Sequence, residues 1–169
     1  MRSEWAPKGE IVHILAALSP QNRLACEVSL FTGLRINDVL SLKPDQVRKQ
    51  RFTVYEQKTG KPRRVRLSNE LLERCLACSG QHFVFENRIN GRKHRTRQAV
   101  YKDLMRAAKV FGIHKHISPH SLRKVFAVEE FERTGDLARV KKLLNHSSEA
   151  VTLLYAMSNV VYRRKKFRN

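Results

Sequence analysis

Twice in this sequence a Ser-Pro pair opens, and a Thr-Gly pair closes, a run of apolar residues at helical spacing. The first run goes from Ser19-Pro20 to Thr32-Gly33, the second from Ser118-Pro119 to Thr134-Gly135. Serine is a good N-cap, and proline suits the first helical position because an N–H there would lack an intrahelical partner. Glycine adopts the left-handed conformation that ends many helices. Both segments are therefore expected to be helices. The first carries Leu24, Val28 and Phe31. The second is expected to bury Leu122, Val125 and Phe126 and to turn His120, Arg123 and Ala127 to another face.

Other elements follow from the same signals. Ile11, Ile14, Leu15 and Leu18 predict a helix over residues 8–18. After Pro44 the period changes. Phe52, Val54 and Glu56 alternate, Lys58-Thr59-Gly60-Lys61-Pro62 makes a turn, and Val65 and Leu67 alternate with Arg64 and Arg66, which predicts a β-hairpin with lysines at its tip. Ser68 caps a helix through Leu71, Leu72, Cys75 and Leu76, and Phe83-Val84-Phe85 reads as a short extended segment. Thr96 caps a helix through Val100, Leu104 and Ala107, and Asp136 one with Leu137, Val140, Leu143 and Leu144 on its stripe. Ser147 and Ser148 open a last helix holding Val151, Leu154 and Tyr155 on one face. The expected fold is mainly α with a small antiparallel β-sheet (α+β) of about three strands. It forms a single domain over residues 1–169, with a basic tail over 160–169.

Charge narrows the partner. Lys and Arg number 34 against 15 acids, for a net charge of +19. A non-repetitive chain so basic is expected to meet a polyanion, and nucleic acid is the expected one. A membrane is not expected, since no stretch approaches the roughly 20 apolar residues needed to span one. The N-terminus has no signal-peptide pattern and the three cysteines are an odd number, so a reducing, cytoplasmic location is expected. Cys75 and Cys78 form a lone Cys-x-x-Cys inside a leucine-rich helical pattern and read as core thiols rather than a zinc or redox site. Between Asn87 and Val128 eleven Lys/Arg face one acid, Asp103. From this run Arg92, Lys93, Arg95, Arg97 and Lys124 are candidate DNA contacts, joined by Lys61 on the hairpin.

Chemistry concentrates late in the chain. His120 falls in the first turn of the helix opened by Pro119, with Arg123 three residues on, on the same side. A cation near a helix N-terminus opposes the macrodipole, an arrangement that makes sense if a phosphate sits at that helix end. Arg35 lies between apolar neighbours, its head expected in a cleft, with Asp38 one turn later to orient the guanidinium. His146 occupies a break between two short helices, and Tyr155 follows within a few turns. A phosphate clamp, two imidazoles and a phenol suggest phosphoryl transfer with tyrosine as nucleophile. A metal site from His114, His116 and His120 lacks a nearby carboxylate or cysteine to complete it, so no metal is expected.

The ordered series Thr-Gly-Leu-Arg35-Ile-Asn-Asp38, Lys58-Thr-Gly-Lys61, His120-Ser-Leu-Arg123, Leu-Asn-His146-Ser-Ser and Tyr155 resembles the catalytic domain of the tyrosine recombinases, the phage-integrase family. The resemblance implies a site-specific recombinase working through a 3′-phosphotyrosine, with no cofactor. By it, Tyr155 attacks the phosphate, Arg35 and Arg123 bind the non-bridging oxygens, Lys58 is general acid, His120 assists proton transfer and His146 holds the phosphate. It also implies a homotetramer on double-stranded DNA, and leaves an accessory DNA-bending protein open. Asn145 stands where the family commonly has glycine and Asp38 where it has glutamate. The N-terminal DNA-clamping domain usual in the family is expected to be absent. Two other readings stay open: a type IB topoisomerase-like enzyme, and a non-catalytic DNA-binding regulator on the recombinase fold.

Overall fold

The computed structural model describes residues 3–144. The first of the two expected long helices, α2 (Pro20–Thr32), follows α1 (Lys8–Ala16) and ends at Gly33 with φ +67°. Two short helices, α3 (Ile36–Leu40) and α4 (Pro44–Val47), lead to the hairpin of β1 (Arg51–Tyr55) and β2 (Pro62–Arg66). These strands pair antiparallel, Phe52 opposite Val65 and Val54 opposite Arg63. Then come α5 (Asn69–Cys78), α6 (Arg97–Val110), α7 (Pro119–Thr134) and α8 (Leu137–Leu143). Among the described residues no helix is long and apolar enough to cross a membrane.

The cap chemistry is local and mostly as read. Ser68, Thr96 and Asp136 accept from the N–H groups of Leu71, Ala99 and Arg139. At α7 a reciprocal capping box forms: Ser118 Oγ accepts from His120 N at 3.3 Å, and Ser118 N donates to Ser121 Oγ at 3.1 Å. Ser19 differs. Its N–H and hydroxyl both donate to Asp103 Oδ2 of α6, at 2.9 and 3.0 Å, and Asn22 Nδ2 adds a bond of 2.7 Å to the same oxygen. The Ser19 hydroxyl donates to that carboxylate and accepts no helix N–H, so Ser19 staples two helices instead of capping one. Partial burial pushes the Asp103 pKa up, but the bonds from Asn22, Ser19 and Arg106 outweigh it and hold the group below its ordinary value.

Two expectations change. Among the described residues the sheet has two strands, not about three: Val84 and Phe85 are fully buried in a turn, beside an isolated bridge between Glu86 and His94. Their apolar character serves burial, since Val84 N is tied to Leu42 O at 2.9 Å and not to a ladder. On α7, Leu122 and Val125 are buried as expected, but so are Arg123 (2% exposed) and Ala127, while Phe126 is only half-buried. The helix packs against α2, α6 and α8, so it has no single solvent face. Cys75 is buried, Cys78 half-buried, and burial raises both thiol pKa values, that of Cys75 to about 12.

Gly33 joins the two long helices. A Cβ there would stand 2.4 Å from the Phe126 ring, at a φ that side chains rarely adopt. Gly60 in the hairpin turn has a similar φ of +65° but nothing within 4 Å. Gly33→Ala is therefore expected to lower stability by about 3 kcal/mol and Gly60→Ala by only about 1 kcal/mol. Urea unfolding of both variants checks the contrast, and equal losses would mean that the ring contact contributes nothing.

Candidate active site

A cleft of about 420 Å³ lies where the N-termini of α6 and α7 meet the hairpin turn and α3, lined among others by Arg35, Asp38, Lys58, Arg97, His120 and Arg123. Each arrives by a local device. The left-handed Gly33 turns the chain at the end of α2, so Arg35 becomes the residue before α3. Lys58 sits exposed on the turn between β1 and β2. Arg97 is the first residue of α6, and the capping box sets His120 in the first turn of α7. The positive ends of the α6 and α7 dipoles and five nearby cationic or imidazole side chains make this an anion site.

Beneath the cleft is a buried charge cluster. Arg123 donates from Nη1 to Gly33 O at 2.6 Å and from Nη2 to Leu144 O at 3.2 Å. Burial, then repulsion from Arg35 and Arg63, pushes its pKa down to about 10, so it remains charged at neutral pH. Arg35 ion-pairs through Nη1 with Glu56 Oε2. Arg63 lies 3.7 Å from Glu56 Oε1 and donates to Gly33 O at 3.1 Å and to Thr32 O. Asp38 is 1% exposed. Its Oδ1 accepts from Gln57 N at 3.0 Å, and burial raises its pKa.

Of the six residues expected to be catalytic, Arg35, Lys58, His120 and Arg123 meet in this cleft. His146 and Tyr155 lie outside the described residues, as do Asn145 and the tail. Asp38 lines the cleft, but the carboxylate bonded to Arg35 is that of Glu56, and Asp38 Oδ1 accepts instead from the Gln57 N–H. Among the expected DNA contacts, Lys61, Arg92, Lys93 and Arg97 are exposed. Arg95 is turned inward, donating to Gln21 Oε1 at 3.0 Å and to Asn22 Oδ1, and Lys124 donates to Ser3 O. These two hold the protein together instead of facing outward. His116 Nε2 lies 3.0 Å from the Tyr101 hydroxyl, and no group of three metal-ligating side chains occurs among the described residues.

Glu56 and Arg63 were missed as site residues, although a signal was there. Glu56 continues the inward phase of Phe52 and Val54, and Arg63 shares that of Val65 and Leu67. Charged residues on the inward phase of facing strands require each other.

Residues 4–160 match the phage integrase family. The chain belongs to that family. Among its integrase relatives, the probable integrase/recombinase YoeC of Bacillus subtilis is 33% identical over 129 residues, 73% of this chain and 70% of that protein. The integrase of Escherichia phage P2 is 29% identical over 87% of this chain and 41% of its own length. The tyrosine recombinase XerD of Lacticaseibacillus casei is 31% identical over 82% of this chain and 50% of its own. The chain thus spans half or less of the P2 integrase and XerD. A lambda integrase dimer bound to a COC′ core site shares the fold with a TM-score of 0.75 at 23% identity, covering 94% of this chain and 60% of that one. The XerH recombinase in a post-cleavage complex with difH gives 0.73 at 21%, covering 97% and 52%.

Removing Arg63 would take its donor from the Thr32 carbonyl and leave Glu56 with Arg35, and the Gly33 carbonyl with Arg123, as the partner that remains. Arg63→Met is expected to lower stability by about 3 kcal/mol, read from urea unfolding. A loss under about 1 kcal/mol would show the cluster to be worth no more than a surface pair.

Proposed function

We propose that this chain is the catalytic part of a tyrosine-type site-specific DNA recombinase, cutting and rejoining duplex DNA through a 3′-phosphotyrosine at Tyr155. The observation that carries this reading is the convergence of Arg35, Lys58, His120 and Arg123, from two helix starts and a hairpin turn, on one cleft. The net charge of +19 fits a polyanionic substrate.

The step is an in-line displacement. Tyr155 Oη bonds to phosphorus as its proton passes to His120, while the bond from phosphorus to the 5′-oxygen breaks. The departing oxygen takes a proton from the Lys58 ammonium. Arg35 and Arg123 donate to the non-bridging oxygens and hold the charge that builds there in the transition state. His120 assists proton transfer and His146 hydrogen-bonds the phosphate. The phosphotyrosine keeps the bond energy, so rejoining is the same step reversed with a 5′-hydroxyl as attacker.

DNA is the proposed partner, with Lys61, Arg92, Lys93 and Arg97 as exposed backbone contacts. A homo-oligomer on DNA is proposed by likeness to lambda integrase, which has been solved as a dimer on a core site and as a tetramer on a Holliday junction.

Covalent trapping on nicked duplexes of randomised sequence tests the reading, because the short fragment diffuses away and leaves the adduct. The unaltered chain is expected to retain DNA after denaturation and Tyr155→Phe to retain none. Arg35→Lys and Arg123→Lys should each slow adduct formation by about 100-fold or more, since a point charge cannot reproduce the fork. An adduct that survives Tyr155→Phe would reject the nucleophile. Salt-sensitive binding with no adduct at all would favour a DNA-binding regulator.

A further inference from the structure

Lys58 stands on an exposed turn at the end of a long, freely rotating side chain, yet a general acid works only when held at its target. Misplacement by about 1 Å costs on the order of 100-fold in rate. What fixes this turn is therefore part of how the site works. Its backbone closes on itself: Thr59 N and Gly60 N donate to Glu56 O at 3.2 and 2.8 Å, and Glu56 N donates to Lys61 O at 3.0 Å. Those bonds give the turn a shape but not a position relative to the arginines.

Position comes from the two residues beside Lys58. Gln57, before it, gives its N–H to Asp38 Oδ1 at 3.0 Å. Thr59, after it, donates its hydroxyl to Glu56 Oε2 at 3.2 Å, and the same hydroxyl accepts from Lys61 N at 3.4 Å. Glu56 Oε2 is also the oxygen that ion-pairs with Arg35 Nη1. One fully buried carboxylate oxygen is thus shared between the turn that carries Lys58 and the guanidinium that lines the cleft. Its other oxygen faces Arg63, which bonds to the Gly33 carbonyl that Arg123 also uses.

We propose that Glu56 and Thr59 are positioning residues that set the Lys58 turn in register with Arg35, so that proton donor and anion fork reach the same phosphate together. Both act through Lys58 and Arg35 and not on the phosphate itself. The inference rests on the recombinase reading above and assigns within it how the general acid is placed. Glu56→Gln would disturb the buried cluster itself, so Thr59 is the residue to change: Thr59→Val removes only the hydroxyl, and Thr59→Ser restores it.

The test compares two versions of one duplex, its site taken from the trapping library. One carries the normal 5′-oxygen at the scissile phosphate, the other a 5′-sulphur. A thiolate leaves without needing a proton, so cleavage of the sulphur duplex does not depend on Lys58. The ratio of the two cleavage rates is independent of how much enzyme is folded or DNA-bound. Lys58→Ala sets the full fall in the oxygen-to-sulphur ratio. Thr59→Val is expected to lower that ratio by about 10- to 100-fold, and Thr59→Ser to return it to the wild-type value. An unchanged ratio in Thr59→Val, whatever its overall rate, would overturn the inference and leave the recombinase reading intact. A wild-type chain that forms no adduct with either duplex would overturn both.

Discussion

The carbonyl oxygen of Gly33 accepts from two guanidiniums at once, Arg123 at 2.6 Å and Arg63 at 3.1 Å. It can do so because it sits at the C-terminal end of α2, where carbonyls have no helical partner and carry the negative end of the helix dipole. Like charges side by side in a protein interior repel strongly. The α2 terminus, together with Glu56 and Asp38, is what lets Arg35, Arg63 and Arg123 share that interior. Three guanidiniums face two carboxylates in the cluster, and the cleft above adds Lys58 and Arg97.

Such a cluster is a poor way to gain stability. Apolar residues of similar volume often do as well or better than buried ion pairs. The depressed pKa of Arg123 and the raised pKa of Asp38 have burial as their largest cause, which is the signature of charge held where solvent would not have left it. A preorganised positive field needs no rearrangement when a phosphate arrives, and it acts more strongly away from water. The fold bears that cost at the junction of α2, α3, α7 and the hairpin, with the apolar core packed around it.

The helix boundaries were legible because their signals are local. Ser118, Thr96, Asp136, Gly33 and Gly135 act within a turn of themselves, and the residues that mark them are the residues that make them. Arg35, Lys58, His120 and Arg123 were legible as an ordered set of motifs. What charge counting could not give was direction. Arg95 and Lys124 sit in the most basic stretch of the chain, but their partners lie 74 and 121 residues away, at Gln21 and Ser3. The exchange of Asp38 for Glu56 beside Arg35 has the same origin. Asp38 is one helical turn from Arg35, whereas Glu56 is brought there only by the closing of the hairpin. Phe83-Val84-Phe85 failed differently, since a short apolar run marks burial before it marks a strand.

Residues 3 and 4 fasten onto the segment that leads into α7. Glu4 exchanges two bonds with His116, N to O at 3.0 Å and Oε2 from His116 N at 2.6 Å, and Ser3 O takes the ammonium of Lys124. His116 is four residues ahead of His120, and Lys124 directly follows Arg123. The two clasps therefore bracket the pair of residues that α7 brings to the cleft. Mechanically this is a short tether with its anchor points on either side of the working parts. Tension along the chain at Ser3 would load the first turns of α7 directly, bypassing the stiff interior.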